Sequence, residues 1–240
     1  MKRFWIILCA SCLCWLPLLA QTPLQEAEEL YRQGKYSAAL NAYENLLKNH
    51  PKDPFVYYNI GNCYFKMGSK GLAAANFYRA FRLAPRDADI RNNLSMALAA
   101  GGEKLVPSGL PPVLHKIYFG LSYAELKGLT YLFFWCFCAV LLLCIWRRKW
   151  TLPATVSCIL LLISTGWLYT RERLERSALA VIAAPVAEIR SGPGTNFPAS
   201  ASAAQGHLVT ILDGKDAWYQ VAVTSQGIKG WVEKDTIEKI

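Results

Sequence analysis

Residues 54–87 read PFVYYNIGNCYFKMGSKGLAAANFYRAFRLAPRD, and the spacing of their small, aromatic and proline residues decides the fold. Two stretches with apolar side chains at helical spacing flank Met67-Gly68-Ser69. Gly61 and Ala73 are small where the two helices must cross closely, and Tyr64 and Phe77 fill the space beside the crossing. Pro85 stops the second helix, because a proline in a helix interior removes a hydrogen bond and clashes with the preceding turn.

The same pattern stands 34 residues upstream, pairing Pro51 with Pro85, Gly34 with Gly68, Ala39 with Ala73 and Tyr43 with Phe77. That interval is the period of a helix–turn–helix repeat. Residues 54–87 resemble the tetratricopeptide repeat, with Tyr57, Ile60, Gly61 and Tyr64 at its first-helix positions. Ala73, Phe77, Ala80 and Pro85 fall at its second-helix positions. Residues 20–53 match in their second helix and less in their first, where Ala27 and Leu30 replace bulkier residues. Ala88–Ala100, with Ile90, Leu94 and Leu98 at helical spacing, reads as a closing helix ended by Gly101-Gly102. Residues 21–101 are therefore an all-α tetratricopeptide superhelix of about two and a half units, fewer than the three a stable solenoid needs. It is expected to lean on the membrane-proximal segment or on a partner.

The apolar residues, 53% of the chain, are gathered into blocks: Met1–Ala20, Leu129–Trp146 and Leu152–Thr170. Residues 1–20 follow the charged, apolar, small-residue order of a signal peptide. The leader reads as cleaved after Ala20, lipidated at Cys12 or retained as an anchor, and each reading carries residue 21 onward across the membrane. Residues 102–127 form a linker and juxtamembrane segment, with Pro107, Gly109, Pro111 and Pro112 in a loop over 103–121 and an apolar stretch around Leu114–Leu121. Ser122 with Glu125 is a capping box opening the next helix. Transmembrane helices over 128–146 and 151–170 are joined by a turn at 147–150. The first apolar run, 18 residues, spans roughly 27 Å as a helix, close to the hydrocarbon thickness of a bilayer. Arg147-Arg148-Lys149 place that turn in the cytoplasm and both soluble domains outside it. The implied location is a bacterial inner membrane crossed twice, with periplasmic N- and C-terminal domains embedded on a lipid bilayer.

About half of the net charge of +9 sits in the leader and the hairpin turn, where it would set topology. The surplus of three on the helical domain is the ordinary charge of a solvated surface, so no nucleic acid is expected as a partner. Seven of the eight cysteines lie in the leader or the membrane runs, leaving Cys63 as a small buried apolar residue. His50, His115 and His207 are separated by 65 and 92 residues, so no metal site is read, no cofactor is expected and no catalytic residue is assigned. Gly192-Pro193-Gly194 lacks the lysine and helix of a phosphate loop and reads as a turn between strands.

Residues 178–240 change to short β-prone runs, Ala178–Ile182, Leu208–Leu212 and Trp218–Val223, separated by turn residues. Ala187–Gly194, Gly206, Trp218-Tyr219-Gln220-Val221 and Gly230-Trp231-Val232, in that order, resemble a bacterial SH3-like domain, a small all-β barrel. Val221, Trp231 and Val232 are expected in its core. Arg190, Ser191, Trp218 and Tyr219 are candidates for a groove that holds glycan or peptide, with ordinary barrel packing as the alternative.

The repeat resemblance implies a concave peptide-binding face of Phe55, Tyr58, Asn62, Phe65 and Lys66, with Glu28, Tyr31 and Arg32 from the preceding unit. A clamp for a carboxylate tail is not expected: Asn59 fits it, but Leu24, Glu28 and Asp89 do not. As a whole the order of signal, helical repeats, two-span hairpin and SH3-like domain resembles the E-type proteins of the Bacteroides aerotolerance (Bat) operon. That resemblance implies a non-enzymatic scaffold in an aerotolerance or stress complex. Its implied partners are membrane proteins with von Willebrand factor A domains and a MoxR-type ATPase system. The rival reading is a cell-wall sensor that binds peptidoglycan through the SH3-like domain.

Overall fold

Asp53 and Asp87 open two of the helices that the repeat period predicts. Their carboxylates accept hydrogen bonds from first-turn N–H groups that have no partner inside the helix: Phe55 and Val56 for Asp53, Ile90 for Asp87. The computed structural model describes residues 22–106, 111–223 and 225–240, so the leader reading of residues 1–20 lies outside the described residues. Five helices follow one another in the repeat region: α1 (Pro23–Arg32), α2 (Tyr36–Asn49), α3 (Pro54–Lys66), α4 (Lys70–Leu83) and α5 (Ala88–Ala99). Each packs on the next. Ala27, Ala39, Tyr43, Val56, Ile60 and Cys63 form one buried cluster, and Ala73, Phe77, Phe81, Ile90, Leu94 and Leu98 belong to a second. Gly61 is required by contact, since a Cβ there would stand 2.6 Å from the Phe77 ring.

Residues 112–118, read from sequence as part of a loop, are instead a short helix, α6 (Pro112–Tyr118), with proline in its first turn. It forms because His115 is buried against Phe81 and Phe119, with ring centroids 6.4 and 4.6 Å away. The capping box at Ser122 is present, with the Glu125 N–H donating to Ser122 and the Ser122 N–H to the Glu125 carboxylate. It opens α7 (Tyr123–Trp146), which a single 3₁₀ turn at Arg148–Trp150 joins to α8 (Thr151–Arg176). Both are long and apolar enough to cross a membrane, and they pack side by side as a hairpin. They are longer than the spans read at 128–146 and 151–170. A cap rather than the bilayer edge sets the start of α7, and Arg176 pairs with Glu172 to carry α8 on beyond the apolar run.

The C-terminal residues form β1 (Leu179–Ile182), β2 (Val186–Arg190), β3 (Ala199–Ala204), β4 (Leu208–Lys215), β5 (Trp218–Val223), β6 (Ile228–Glu233) and β7 (Ile237–Lys239). They make one antiparallel sheet in the order β3-β2-β6-β5-β4-β1-β7. Ala180, Ile182, Ile189, Val209, Val221 and Val232 fill its core. Trp231, expected beside Val232 in the core, is half-buried on the other face, because neighbouring strand residues point to opposite sides.

The helical repeat region and the sheet domain touch. Val181 is part of the repeat region's second buried cluster, and Leu208 and Ile240 pack against it. Gly71 of α4 lies so close to β1 that a Cβ would stand 2.2 Å from the Ile182 carbonyl oxygen. A Cβ on Gly101 would stand 2.6 Å from the carbonyl carbon of Gly206. Three arginines extend the contact: Arg79 pairs with Glu238 of β7 at 2.5 Å, Arg82 with Glu175 of α8, and Arg86 with Glu125 of α7. Arg79 and Arg82 thus face other parts of the same chain, while Arg86 stays largely exposed.

Replacing Gly71 with valine should loosen this contact, costing about 1–3 kcal/mol, the usual range for overpacking a closed site. Thermal unfolding in detergent, with protease release of residues 178–240 as the second readout, should show both changes. An unaltered midpoint and cleavage pattern would count against the packed arrangement.

Candidate functional site

The concave side of the repeat region is built by α1, α3 and α5. Helical periodicity turns Tyr58, Asn62, Phe65 and Lys66 of α3 toward the same groove as Tyr31 of α1. Together with Phe77, Asn93 and Met96 they line a groove of about 320 Å³. The Asn93 amide nitrogen donates to the Tyr58 hydroxyl and to the Asn62 side-chain oxygen, each at 3.0 Å. This network fixes the Asn62 amide and leaves its remaining polar valence toward the groove. Lys66 is the charged residue of the lining, and Tyr58, Phe65 and Met96 supply apolar surface. Such a surface suits an extended segment with apolar side chains and an acidic group near Lys66.

Three of the residues expected in the groove stand elsewhere, Glu28 among them, exposed on α1 outside the lining. Phe55 is exposed in the first turn of α3, and Arg32 is exposed on α1, paired with Glu29 at 3.0 Å. Asn93 and Met96 were missed because α5 reads in sequence only as a closing helix. The polar Asn93 between Ile90 and Leu94 is the signal that it also presents a side to the groove.

The four candidates in the sheet domain do not share a groove. Trp218 is 8% exposed, and strand alternation puts Tyr219 on the opposite face, against the core. The Arg190 guanidinium is committed to the β2–β3 loop, donating to the carbonyls of Thr195 at 3.1 Å and Phe197 at 2.7 Å and pairing with Glu188. Ser191 is exposed beside it, and its N–H donates to the Pro198 carbonyl. What the register does bring together is a row of Arg190, Trp231 and Gln220 on adjacent strands.

Cys63 sits inside α3, fully buried, and burial pushes its thiol up to about 11. Tyr43, beside it, is pushed up to about 12, first by burial and then by the nearby Cys63 and Glu28. Both groups are thus held neutral through physiological pH, which suits packing and not nucleophilic attack. Among the described residues no three of His, Cys, Asp or Glu are grouped to hold a metal ion.

Residues 24–88 match the family model of the tetratricopeptide repeat, and residues 185–238 match that of the bacterial SH3 domain. The repeat region is similar to protein arginine N-methyltransferase 9 of Xenopus laevis, 34% identical over 67 residues, 28% of this chain and 8% of that protein. It is also similar to the Hsp70-Hsp90 organizing protein of Triticum aestivum, 36% identical over 53 residues, 22% of this chain and 9% of that protein. The chain thus spans less than a tenth of the length of these curated relatives. Among solved structures, the type III secretion translocator chaperone SycD of Yersinia enterocolitica aligns over 62% of this chain and 83% of its own. Its identity is 18% and its TM-score 0.33, too loose a likeness to bear on the fold. The chain carries a tetratricopeptide repeat region and a bacterial SH3 domain, separated by two helices able to cross a membrane.

The buried thiol gives a pH test. Its folded pKa lies above the ordinary 9.0, so its contribution to stability is whole below about 9 and is lost as pH rises toward 11. Iodoacetamide should leave Cys63 unmodified at pH 8 in the folded protein and label it after unfolding, as read by peptide mass spectrometry. Rapid labelling at pH 8 without unfolding would contradict its placement in the core.

Proposed function

We propose that this chain is a non-enzymatic scaffold of the bacterial inner membrane that holds a protein partner in the concave groove of its helical repeats. The observation that carries the reading is a division of surfaces. The side of α4 that bears Gly71, Arg79 and Arg82 is covered by the sheet domain and the membrane hairpin, while the groove of Tyr31, Tyr58, Asn62, Phe65 and Lys66 stays open. Tetratricopeptide repeats are protein-binding modules, and an open groove beside a covered convex side suits one.

The domains are placed on the periplasmic side in this reading. Arg147, Arg148 and Lys149 at the tip of the hairpin favour a cytoplasmic turn. The direct contact between repeats and sheet supports one side for both. The architectural resemblance to Bat E-type proteins extends the proposal to an aerotolerance complex, with von Willebrand factor A domain proteins and a MoxR-type ATPase system as partners.

A second reading has its own support. The sheet meets the helical region through β1, β7 and the turns holding Gly206 and Ser225, which leaves the opposite strand ends, with Ser191 and the Arg190–Trp231 pair, turned away. Bacterial SH3 domains can bind peptidoglycan, and that end of the sheet is the surface that would do so.

The test is a pull-down of the full chain in mild detergent, with mass spectrometry, comparing wild type with Tyr58→Ala/Lys66→Glu. The scaffold reading expects membrane proteins whose recovery falls at least tenfold in the double variant, a loss of about 1.4 kcal/mol or more. Equal recovery from both would remove the groove from the account. Co-sedimentation of the wild-type chain with purified peptidoglycan, lost in Trp231→Ala, would favour the second reading.

A further inference from the structure

The helix α6 presents its two sides to different surroundings. His115 is buried, stacked at 15° over Phe81 and close to Phe119, and burial together with the charge of Arg91 holds its imidazole below the usual value. The opposite stripe is bare: Val113, Leu114 and Ile117 are 60%, 51% and 59% exposed. At 100° per residue these three lie within about a third of the helix circumference, with Lys116 at their flank.

The level of this stripe is set by the membrane hairpin. The indole N–H of Trp167 donates to the Tyr118 carbonyl at 3.2 Å, and Arg171 donates to the same oxygen at 3.3 Å. The Tyr118 hydroxyl donates to Thr170 at 3.1 Å. The Arg171 guanidinium, 1% exposed, lies 4.6 Å from the centre of the Phe119 ring. These contacts fasten the end of α6 to residues 167–171, where the apolar run of α8 ends and where Trp and Tyr rings collect at a membrane surface. Leu114 is one helical turn, roughly 5 Å, from Tyr118.

We propose that α6 is an interfacial helix whose Val113–Leu114–Ile117 stripe enters the outer edge of the same lipid bilayer that α7 and α8 cross. The occupant is phospholipid, argued from continuity: the stripe adjoins, through Tyr118, the exposed apolar belt of the hairpin, and Lys116 flanks it as a cation suited to headgroup phosphates. The helix is then a third attachment to the membrane. It lies in the plane while the spans cross it, and it fixes the height and tilt of the head formed by the repeats and the sheet. The proposal rests on the reading of α7 and α8 as membrane spans.

The test incorporates a photoreactive residue into the full chain in bacterial membranes: Leu114→p-benzoylphenylalanine, with Ile117→p-benzoylphenylalanine as the second position on the stripe. Leu142→p-benzoylphenylalanine, in α7, reports on the spans, and Lys35→p-benzoylphenylalanine, in the turn before α2, is the solvent control. After illumination the intact protein is weighed for phospholipid adducts. The expected result is adducts at 114, 117 and 142, each several-fold above position 35. Adducts at 142 with none at 114 or 117 overturn the interfacial helix and leave the spans standing. Crosslinks from 114 and 117 to protein alone overturn it in favour of a protein-docking face. No adduct at 142 overturns the spans, and the proposal with them.

Discussion

Three arginines on one side of the repeat region hold the rest of the chain in place. Arg79, Arg82 and Arg86 reach in turn to the last strand of the sheet, the C-terminal end of α8 and the first turn of α7. A single exposed pair of this kind contributes about 0–1 kcal/mol. Arg79 and Arg82 are mostly buried, and both also donate to main-chain carbonyls of Lys239 and Ile240, so their partners are fixed as well as attracted. Beside them Gly71 and Gly101 let the sheet's backbone approach the helices without a side chain between. Elements that are not repeats thereby pack against the stack of five helices.

The arrangement has a consequence for how the surfaces are used. Contacts within the chain occupy the second-helix side of the stack, and the concave side stays open. The buried cation Arg171 does similar work toward the C-terminal end of α8. Buried among Tyr118, Phe119 and the end of α8, it ties the linker between the two soluble parts to the hairpin. The repeats and the sheet are therefore attached to the α7–α8 hairpin by packing and ion pairs, and not by the chain connections alone.

The helices of the repeat region are legible in sequence because their constraints are local. The interval between Pro51 and Pro85 and the small Gly61 under Phe77 are visible without coordinates, as is the Ser122–Glu125 cap. The short α6 is not, because seven residues give no full amphipathic period and its stability comes from His115 meeting Phe81, 34 positions away. Strand β3, with the sequence ASASAA, has little β-propensity and forms by pairing with β2. The candidate grooves divide the same way. Tyr58, Asn62, Phe65 and Lys66 share a helix face and are found by periodicity. Trp218 and Tyr219 are adjacent on a strand and for that reason point apart. The arginine contacts escape altogether, since a surplus of positive charge does not name the carboxylate it faces.

The central claim is that the sheet domain packs on and completes the helical stack. Native-state hydrogen exchange, comparing the full chain in nanodiscs with a chain ending at Arg176, tests it most directly. The account predicts that removing residues 177–240 speeds amide exchange across α4 and the end of α5, where Gly71, Arg79 and Gly101 meet the sheet, while α1 and α2 change little. Unaltered protection of α4 in the shortened chain would contradict it.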